Sequence, residues 1–399
     1  MHKVPKEEVQ THVNRLQEAM KEHGIDAAFI LQGADMFYLS GTVQDGVLCV
    51  PAEGEPALFV RRCIDRAKSD VTYGRIFPFE RFSALPNLIK EASIDIGSKV
   101  GIEMDVLPVA VMNRIEKTFI KAGKDLQYSD ISPLILDCRS RKTEYEKEML
   151  RRAGKIACDV FAKVPEMIRP GMQELELASD MMKAARLAGH QGAFRIRRWI
   201  ANSFTDHVVS GTNACLTTFF DGPVGSPGVC PALPIGAGTK KIEPHEPIMI
   251  DFVFGCEGYH VDVTRVFSIG EPDQSLKEAY GVAIQIVRKV ESMLKQGTVA
   301  SKVYDEALAI AESSRYADSF MGVPGNQVKF IGHGIGLEVD EMPVLAPRFD
   351  HELAASNVLA VEPKFFLPGI GGAGLENTYI VGEDACENIT PIPEEFLVL

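Results

Sequence analysis

The chain has 399 residues, of which 46% are hydrophobic, and its formal net charge is −13 at pH 7. This length accommodates two domains with separate hydrophobic cores, and the excess of acids argues against nucleic acid or an anionic membrane as a general partner. No apolar run approaches the ~18 residues of a membrane span, and the N-terminus has no signal-peptide core, so we expect a cytoplasmic protein.

The N-terminal third of the chain, residues 1–140, is expected to form an α/β domain. Apolar spacing predicts an amphipathic helix over residues 9–23, which a glycine ends. Runs of apolar residues predict a strand at 27–31, a hairpin over 47–60 and a further strand near 99–103, with helical stretches between them.

A basic and polar segment at residues 136–142 precedes the start of a new helix. Thr143 and Glu146 have the spacing of a capping box, in which each side chain accepts a hydrogen bond from the backbone N–H of the other residue. We therefore predict two domains, 1–140 and 141–399. The second is expected to contain helices first, then strands, a helix pair and more strands.

The second domain contains a predicted hairpin with two aspartates. Residues 248–254 and 259–267 are rich in β-branched and aromatic residues, which predicts two strands joined by a turn. A four-residue turn would place Asp251 directly opposite Asp262. Directly opposed residues share one face of a sheet, so the two carboxylates are expected to lie together.

A second predicted hairpin contains two glutamates. Residues 358–362 and 376–381 have strand patterns, and the glycine-rich turn between them is centred near Gly369. This arrangement brings Glu362 and Glu376 together.

Two pairs of acids on apolar strands indicate bound cations. Facing carboxylates repel each other, and burial raises the cost. A solvated pair on an exposed face is the alternative for either hairpin alone, but two pairs together with His333 favour a metal site. Carboxylate and imidazole ligands suit Mn, Fe, Co or Zn better than Ca. Four carboxylates also balance most of the charge of two divalent ions, which can share a hydroxide and polarise a carbonyl.

Four segments of the second domain resemble the successive motifs of the prolidase, aminopeptidase P and creatinase family; they are 250–265, 332–341, 361–363 and 375–378. The resemblance implies an α/β (α+β) chain, with a creatinase-like N-terminal α/β domain and a pita-bread catalytic domain of antiparallel sheet and flanking helices. It also implies a homodimer.

The same resemblance implies a ligand set for two divalent metal ions, with Mn the first choice and Co, Fe or Zn as alternatives. The implied metal ligands are Asp251, Asp262, His333, Glu362 and Glu376. Glu362 would also orient or deprotonate the metal-bound water, and Thr264 would support the ligands from outside.

Three departures from the family pattern bear on substrate handling. Active prolidase-like members carry a histidine seven residues after the glycine of a Ser-Gly-x-Asn-like segment, where this chain has Thr218. They carry another seven residues after the ligand histidine, where this chain has Asp340. An arginine that commonly stands two residues before the last glutamate is replaced by Gly374. The usual histidines stabilise the developing tetrahedral intermediate.

The resemblance implies an enzyme that cleaves a small peptide by a metal-bound hydroxide, like Xaa-Pro dipeptidase or aminopeptidase P. Asp340 supports an alternative, because a carboxylate beside two metals could act as a base in a metal-dependent lyase or a non-peptide C–N hydrolase on a small acid, as in the dimethylsulfoniopropionate lyase branch that resembles this fold. Asp340 could equally form a salt bridge or cap a turn. A third hypothesis is that the chain is a catalytically silent homologue that binds metal.

Two further features near the expected cleft have open interpretations. Strand alternation would place Arg195 and Arg197 on one face and Arg198 on the other. These arginines could clamp a substrate carboxylate or belong to a solvated edge strand. His207 could replace one of the lost histidines, or it could serve in packing.

Overall fold

The computed structural model describes residues 3–197 and 207–399. The chain divides into two compact units, Met1–Arg139 and Ser140–Leu399. Within the described residues, every helix is too short or too polar to cross a membrane.

The first unit contains a mixed six-stranded sheet with the strand order β4-β3-β2-β1-β5-β6. Its strands are β1 (Ala27–Ile30), β2 (Gly46–Pro51), β3 (Ala57–Val60), β4 (Arg75–Pro78), β5 (Lys99–Ile102) and β6 (Gln127–Asp130). Its helices are α1 (Lys6–Glu22), α2 (Gly33–Ser40), α3 (Ile64–Asp70), α4 (Leu85–Glu91), α5 (Val109–Lys121) and α6 (Ser132–Ser140). The predicted α/β organisation of this part of the chain is confirmed.

The second unit contains three small sheets and five α-helices among the described residues. The helices are α7 (Glu144–Phe161), α8 (Val164–Met167), α9 (Glu174–Leu187), α10 (Gln274–Met293) and α11 (Ala300–Glu312). The strands are β7 (His207–Ser210), β8 (Pro247–Cys256), β9 (Tyr259–Ser268), β10 (Gly332–Gly334), β11 (Glu341–Val344), β12 (Val358–Val361), β13 (Lys364–Leu367), β14 (Gly371–Gly374), β15 (Asn377–Ile380), β16 (Glu387–Asn388) and β17 (Leu397–Val398).

The expected capping box is present at the start of α7. The Thr143 hydroxyl accepts from the Glu146 N–H at 3.1 Å, and the Glu146 carboxylate accepts from the Thr143 N–H at 2.9 Å. One face of α10 is buried against β13 and β14. The spacing of its buried residues follows the three- and four-residue period of a helix. This helix therefore covers the β13–β14 part of the glutamate hairpin.

The register predicted for the aspartate hairpin is wrong by two residues. β8 and β9 are joined by a two-residue turn, Glu257 and Gly258, rather than by four residues. Both turn residues have positive φ, 50° and 96°, and such turns match the right-handed twist of the flanking strands. Asp251 is consequently opposite Thr264, not opposite Asp262.

The glutamate hairpin has the predicted register. Val361 pairs with Asn377 and Lys364 pairs with Gly374, so Glu362 and Glu376 lie opposite each other between these pairs. The turn falls at Gly369, which has φ 81°.

Candidate metal centre

The two aspartates share one face of the β8–β9 hairpin in spite of the changed register. Asp262 is opposite Val253, and Asp251 is opposite Thr264. Positions two apart on a strand lie on the same face, so the two carboxylates are diagonal neighbours. The face of the sheet could therefore be predicted from the alternation, although the direct pairing could not.

A backbone bridge joins the two acid-bearing hairpins. Thr264 and Glu376 exchange backbone hydrogen bonds in both directions, at 3.1 and 3.4 Å. The Asp262 N–H also donates to the Thr378 hydroxyl at 3.0 Å. Arg265 reinforces this junction, because its buried guanidinium donates to the carbonyl oxygen of Glu376 and to the side chain of Asn377. The junction places both glutamates beside both aspartates.

His333 lies on the interior strand β10, which pairs with both β11 and β12. Its Nδ1 is 3.0 Å from the carbonyl oxygen of Gly334. A carbonyl can only accept, so Nδ1 carries the proton of a neutral ring and the lone pair remains on Nε2. That Nε2 is 3.7 Å from Oε1 of Glu362.

The five predicted residues form two overlapping groups whose candidate ligand atoms lie within 4.8 Å of one another. One group contains Asp262, His333 and Glu376, and the other contains Asp251, Glu362 and Glu376. The first group fits a divalent ion. His333 presents an available Nε2, and the buried Oε1 of Glu376 has no hydrogen-bond partner among residues 3–197 and 207–399. A buried carboxylate oxygen without a hydrogen bond lowers the stability of the fold unless a cation neutralises its charge.

Lys364 is the residue of this centre that sequence reasoning missed. Its ammonium group is fully buried and donates to Asp251 at 3.1 Å, Glu362 at 2.5 Å and Glu376 at 2.8 Å. The predicted strand ends at Glu362, two residues before Lys364, so strand alternation did not assign this lysine to a face. A lysine in an apolar strand needs buried acceptors.

The carboxyl groups of the centre have strongly perturbed acidities. Burial, together with the charges of Glu376 and Asp251, holds the pKa of Asp262 well above its usual range. Burial also raises the pKa of Glu362 to about 7, although the Lys364 ammonium opposes the shift. Burial alone would raise the pKa of Asp251 as well, but Lys364 and His207 outweigh it and lower that pKa.

His333 responds to the same negative charges. Burial acts to lower the pKa of His333, but Asp340, Glu362 and Glu376 outweigh it and raise that pKa. A region where several acids raise the pKa values of one another is a region with a deficit of positive charge, which a divalent ion would correct.

A cavity borders the centre. Its polar lining includes Asp340 and His207, next to Asp251, His333 and Glu362. Asp340 Oδ1 is 3.8 Å from Nδ1 of His333, so Asp340 lies beside the centre, where both its base role and its salt-bridge role stay predictions.

Two further segments line the cavity, mostly with apolar residues. Phe194 and Ile196 line it from one side, and the stretch from Phe220 to Val224 lines it from another. Thr218 is not among the lining residues that the structure describes, and its hydroxyl accepts from the N–H of Phe220 at 3.2 Å. The loop therefore brings residues beyond Thr218 into the cavity.

The arginine segment contributes its apolar residues, not its guanidinium groups, to this lining. Arg197 is 5% exposed and pairs with Glu338 at 3.6 Å. Residues 193–197 are not part of a strand, so neither the substrate clamp nor the solvated edge strand describes Arg197. Arg198 lies outside the described residues.

His207 on β7 is directly opposite Asp251 on β8 in the backbone register of the two strands. Its Nε2 is buried without a hydrogen-bond partner in the described part of the chain. Burial and the nearby Lys364 lower the pKa of His207, although Asp251 acts in the opposite direction. His207 is therefore a neutral imidazole at the edge of the cavity.

Comparison with known families agrees with this geometry. The model of metallopeptidase family M24 matches residues 148–383, and the model of the creatinase/prolidase N-terminal domain matches residues 12–141. The chain belongs to metallopeptidase family M24. Membership confirms the predicted resemblance, the pita-bread fold and the assignment as an Xaa-Pro dipeptidase-like metallohydrolase.

Named relatives match over nearly the whole chain. An Xaa-Pro dipeptidase of Pyrococcus furiosus is 24% identical and covers 96% of this chain and 99% of its own length. The structure of an Xaa-Pro dipeptidase from Bacillus anthracis has a TM-score of 0.82 at 26% identity, with 98% of this chain and 100% of that chain covered. An X-Pro aminopeptidase structure from Thermotoga maritima has a TM-score of 0.80 at 26% identity, covering 97% and 99%.

Proposed function

We propose that the chain hydrolyses short peptides at an Xaa-Pro bond and requires divalent metal ions. The observation that carries this proposal is the convergence of Asp262, His333, Glu362 and Glu376 beside a largely apolar cavity. Apolar walls suit a proline ring, and an ion held by these residues would acidify a water molecule and polarise the scissile carbonyl.

The other steps are assigned to side chains of this protein. Glu362 lines the cavity, with its Oε1 3.7 Å from Nε2 of His333, and this position suits it to accept a proton from the attacking water and return it to the leaving amine. Asp221 and Asp340 both line the cavity, and their carboxylates can bind the terminal ammonium of a short peptide.

We propose Mn²⁺ as the resident ion, with Co, Fe or Zn as substitutes, because the donors are carboxylates and one imidazole. The five residues Asp251, Asp262, His333, Glu362 and Glu376 provide donors for up to two ions. We also propose a domain boundary after residue 140, a homodimer and a cytoplasmic location, all three as expectations from the sequence and the family resemblance.

A peptide panel tests the activity. Purified full-length protein, supplied with Mn²⁺, is assayed on Xaa-Pro dipeptides, longer Xaa-Pro peptides and matched Xaa-Ala peptides. We expect turnover of an Xaa-Pro substrate, and loss of both turnover and bound metal in Asp262→Asn. Absence of turnover on every peptide would reject the proposal.

His207 is proposed to replace the missing substrate-side histidine. A neutral imidazole with one N–H can donate to the oxyanion of a tetrahedral intermediate, a role worth about 100-fold in rate when a single donor is removed. We expect His207→Phe to lower kcat/KM by about 100-fold, mainly through kcat. Thr218→Val is the matched control and should leave kcat/KM within about twofold, because Thr218 is outside the cavity lining. Equal losses in the two variants would contradict the assignment.

A second candidate function rests on Asp340. Its position at the cavity, 3.8 Å from His333, also suits a base that removes a proton from a small acid, as a lyase or a non-peptide C–N hydrolase requires. Activity on such an acid that disappears in Asp340→Asn, without peptide turnover, would favour this candidate.

A further inference from the structure

The buried Lys364 is the one cation that the described structure places inside the acid cluster of the centre. Its side chain is 0% exposed, and it starts from the strand position directly opposite Gly374. Its Nζ contacts both Asp251 and Glu362, so the side chain points to the face that carries the aspartates.

The Lys364 ammonium donates one hydrogen bond to each of three carboxylates. The Nζ distances are 3.1 Å to Oδ2 of Asp251, 2.5 Å to Oε2 of Glu362 and 2.8 Å to Oε2 of Glu376. An ammonium group has three donors and no acceptor, so this environment uses all of them. These three carboxylates are also the second of the two candidate metal-ligand groups.

We propose that the Lys364 ammonium is the permanent cation of the Asp251–Glu362–Glu376 group, so that this chain holds a single divalent ion. The ion belongs to the other group, which contains Asp262 and His333. The inference deepens the proposed function, on which it rests, by stating how many ions the reaction uses.

Glu362 and Glu376 each direct one carboxylate oxygen to Lys364 and the other toward the group that contains Asp262 and His333. Oε2 of Glu376 accepts from Lys364 and from the Thr264 hydroxyl, each at 2.8 Å, whereas its buried Oε1 has no partner in the described structure. Oε2 of Glu362 accepts from Lys364, whereas its Oε1 is 3.7 Å from Nε2 of His333. Each glutamate thus bridges one ammonium and one position suited to an ion.

A second ion and the lysine are mutually exclusive in the Asp251 group. Transition-metal ions bind carboxylate oxygens at about 2.0 to 2.2 Å, and three oxygens already surround Nζ at 2.5 to 3.1 Å. An ion among the same carboxylates would therefore lie in contact with the ammonium, with repulsion between two positive charges and no water between them. Lys364 cannot swing out easily, because its methylene groups are buried as well.

Gly374 shows that the strand pair is built around this lysine. A Cβ on Gly374 would lie 2.8 Å from Cγ of Lys364 and 2.7 Å from its Cα. The position where the family resemblance implies an arginine therefore has no space for a side chain. In this chain the positive charge is instead that of Lys364 on the opposite strand, which contacts the carboxylate oxygens directly.

Metal counting on full-length protein tests the inference. Wild type, Lys364→Ala and the control Lys289→Ala, which alters a half-buried lysine on α10 outside the centre, are stripped with chelator, incubated with excess Mn²⁺, desalted and analysed by elemental mass spectrometry. We expect one ion per chain in the wild type and in Lys289→Ala, and two in Lys364→Ala. Electron paramagnetic resonance should show an isolated Mn²⁺ spectrum in the wild type and a spin-coupled pair in Lys364→Ala.

A second pair of variants keeps the test decisive if Lys364→Ala does not fold. Asp251 is expected to bind only the lysine and Asp262 the ion, so Asp251→Asn should keep one ion per chain and Asp262→Asn should lose it. Two ions in the wild type, or loss of the single ion in Asp251→Asn, would overturn the inference and leave the proposed function intact. No bound ion in the wild type would overturn both, whereas failure of the peptide panel would leave these counts unchanged.

Discussion

Asp262 and Glu362 are carboxyl groups that the metal-free fold prefers to keep protonated. Burial raises the pKa of both, for Glu362 to about 7. In the unfolded chain they titrate near their ordinary values, so between about pH 4.5 and 7 the folded state binds more protons than the unfolded state. The stability that these two carboxyl groups contribute must then fall as pH rises through this window. The raised pKa of His333 has the same sign, because its protonated form is also favoured by folding.

We therefore expect the free energy of unfolding of the metal-free wild type, measured by urea denaturation relative to Glu362→Gln, to decrease by about 1 to 3 kcal/mol between pH 5 and pH 7.5. The comparison is needed because His190, His207 and His260 have lowered pKa values, whose effect on stability has the opposite sign in both proteins. With Mn²⁺ bound to the wild type the decrease should disappear or reverse, because the ion favours the deprotonated ligands. A difference between the two metal-free proteins that stays constant or rises over this range would contradict the raised pKa of Glu362.

The candidate ligands could be recognised from their residue types, but their electrostatic partner could not. The predicted direct pairing of Asp251 with Asp262 was wrong by two residues, but a shift of two residues keeps both carboxylates on one face. The turn glycines placed Glu362 opposite Glu376. Lys364 was missed because an ordinary lysine is solvated, and only the three-dimensional crossing of two hairpins shows that no solvent reaches this one. The structure also shows that Asp340 and His207 border the cavity, whereas Thr218 is not among its described lining residues.

The turn of the aspartate hairpin determines its register at the scale of the element. Gly258 has φ 96° and follows Glu257 at φ 50°. A β-branched residue in a left-handed conformation costs about 1 to 2 kcal/mol, and relief of that strain by a longer turn would shift the pairing of Asp251 and Asp262. The sequence Gly255-Cys-Glu-Gly258 allowed either turn length, which explains why the predicted pairing was wrong.

We expect Gly258→Val to lower the free energy of unfolding by about 1 to 2 kcal/mol and to weaken Mn²⁺ binding. Glu257→Asn is the matched control, since asparagine tolerates a positive φ, and it should change stability by less than about 0.5 kcal/mol. Denaturation curves and metal titrations measure both effects. A Gly258→Val variant as stable as the control would show that the turn does not hold the register.

At the scale of the whole molecule, every candidate ligand lies between residues 251 and 376, within the unit Ser140–Leu399. The sheet of the first unit, β1 to β6, contributes none of them. An ion that binds only the folded state stabilises it by about 2.7 kcal/mol at 100 times its Kd. This stabilisation should slow local unfolding of the strands that carry the ligands and of the strands hydrogen bonded to them.

Hydrogen exchange before and after chelation can locate the effect. We expect removal of the ion from the full-length protein to accelerate exchange in peptides covering β8, β9, β10, β12 and β15, while peptides from β1, β2 and β5 keep their protection. Asp262→Asn supplies the control, because without bound ion its exchange should not respond to chelator. A uniform acceleration across both units would mean that ion binding stabilises the chain globally, and no response in the wild type would mean that the centre does not take up the ion.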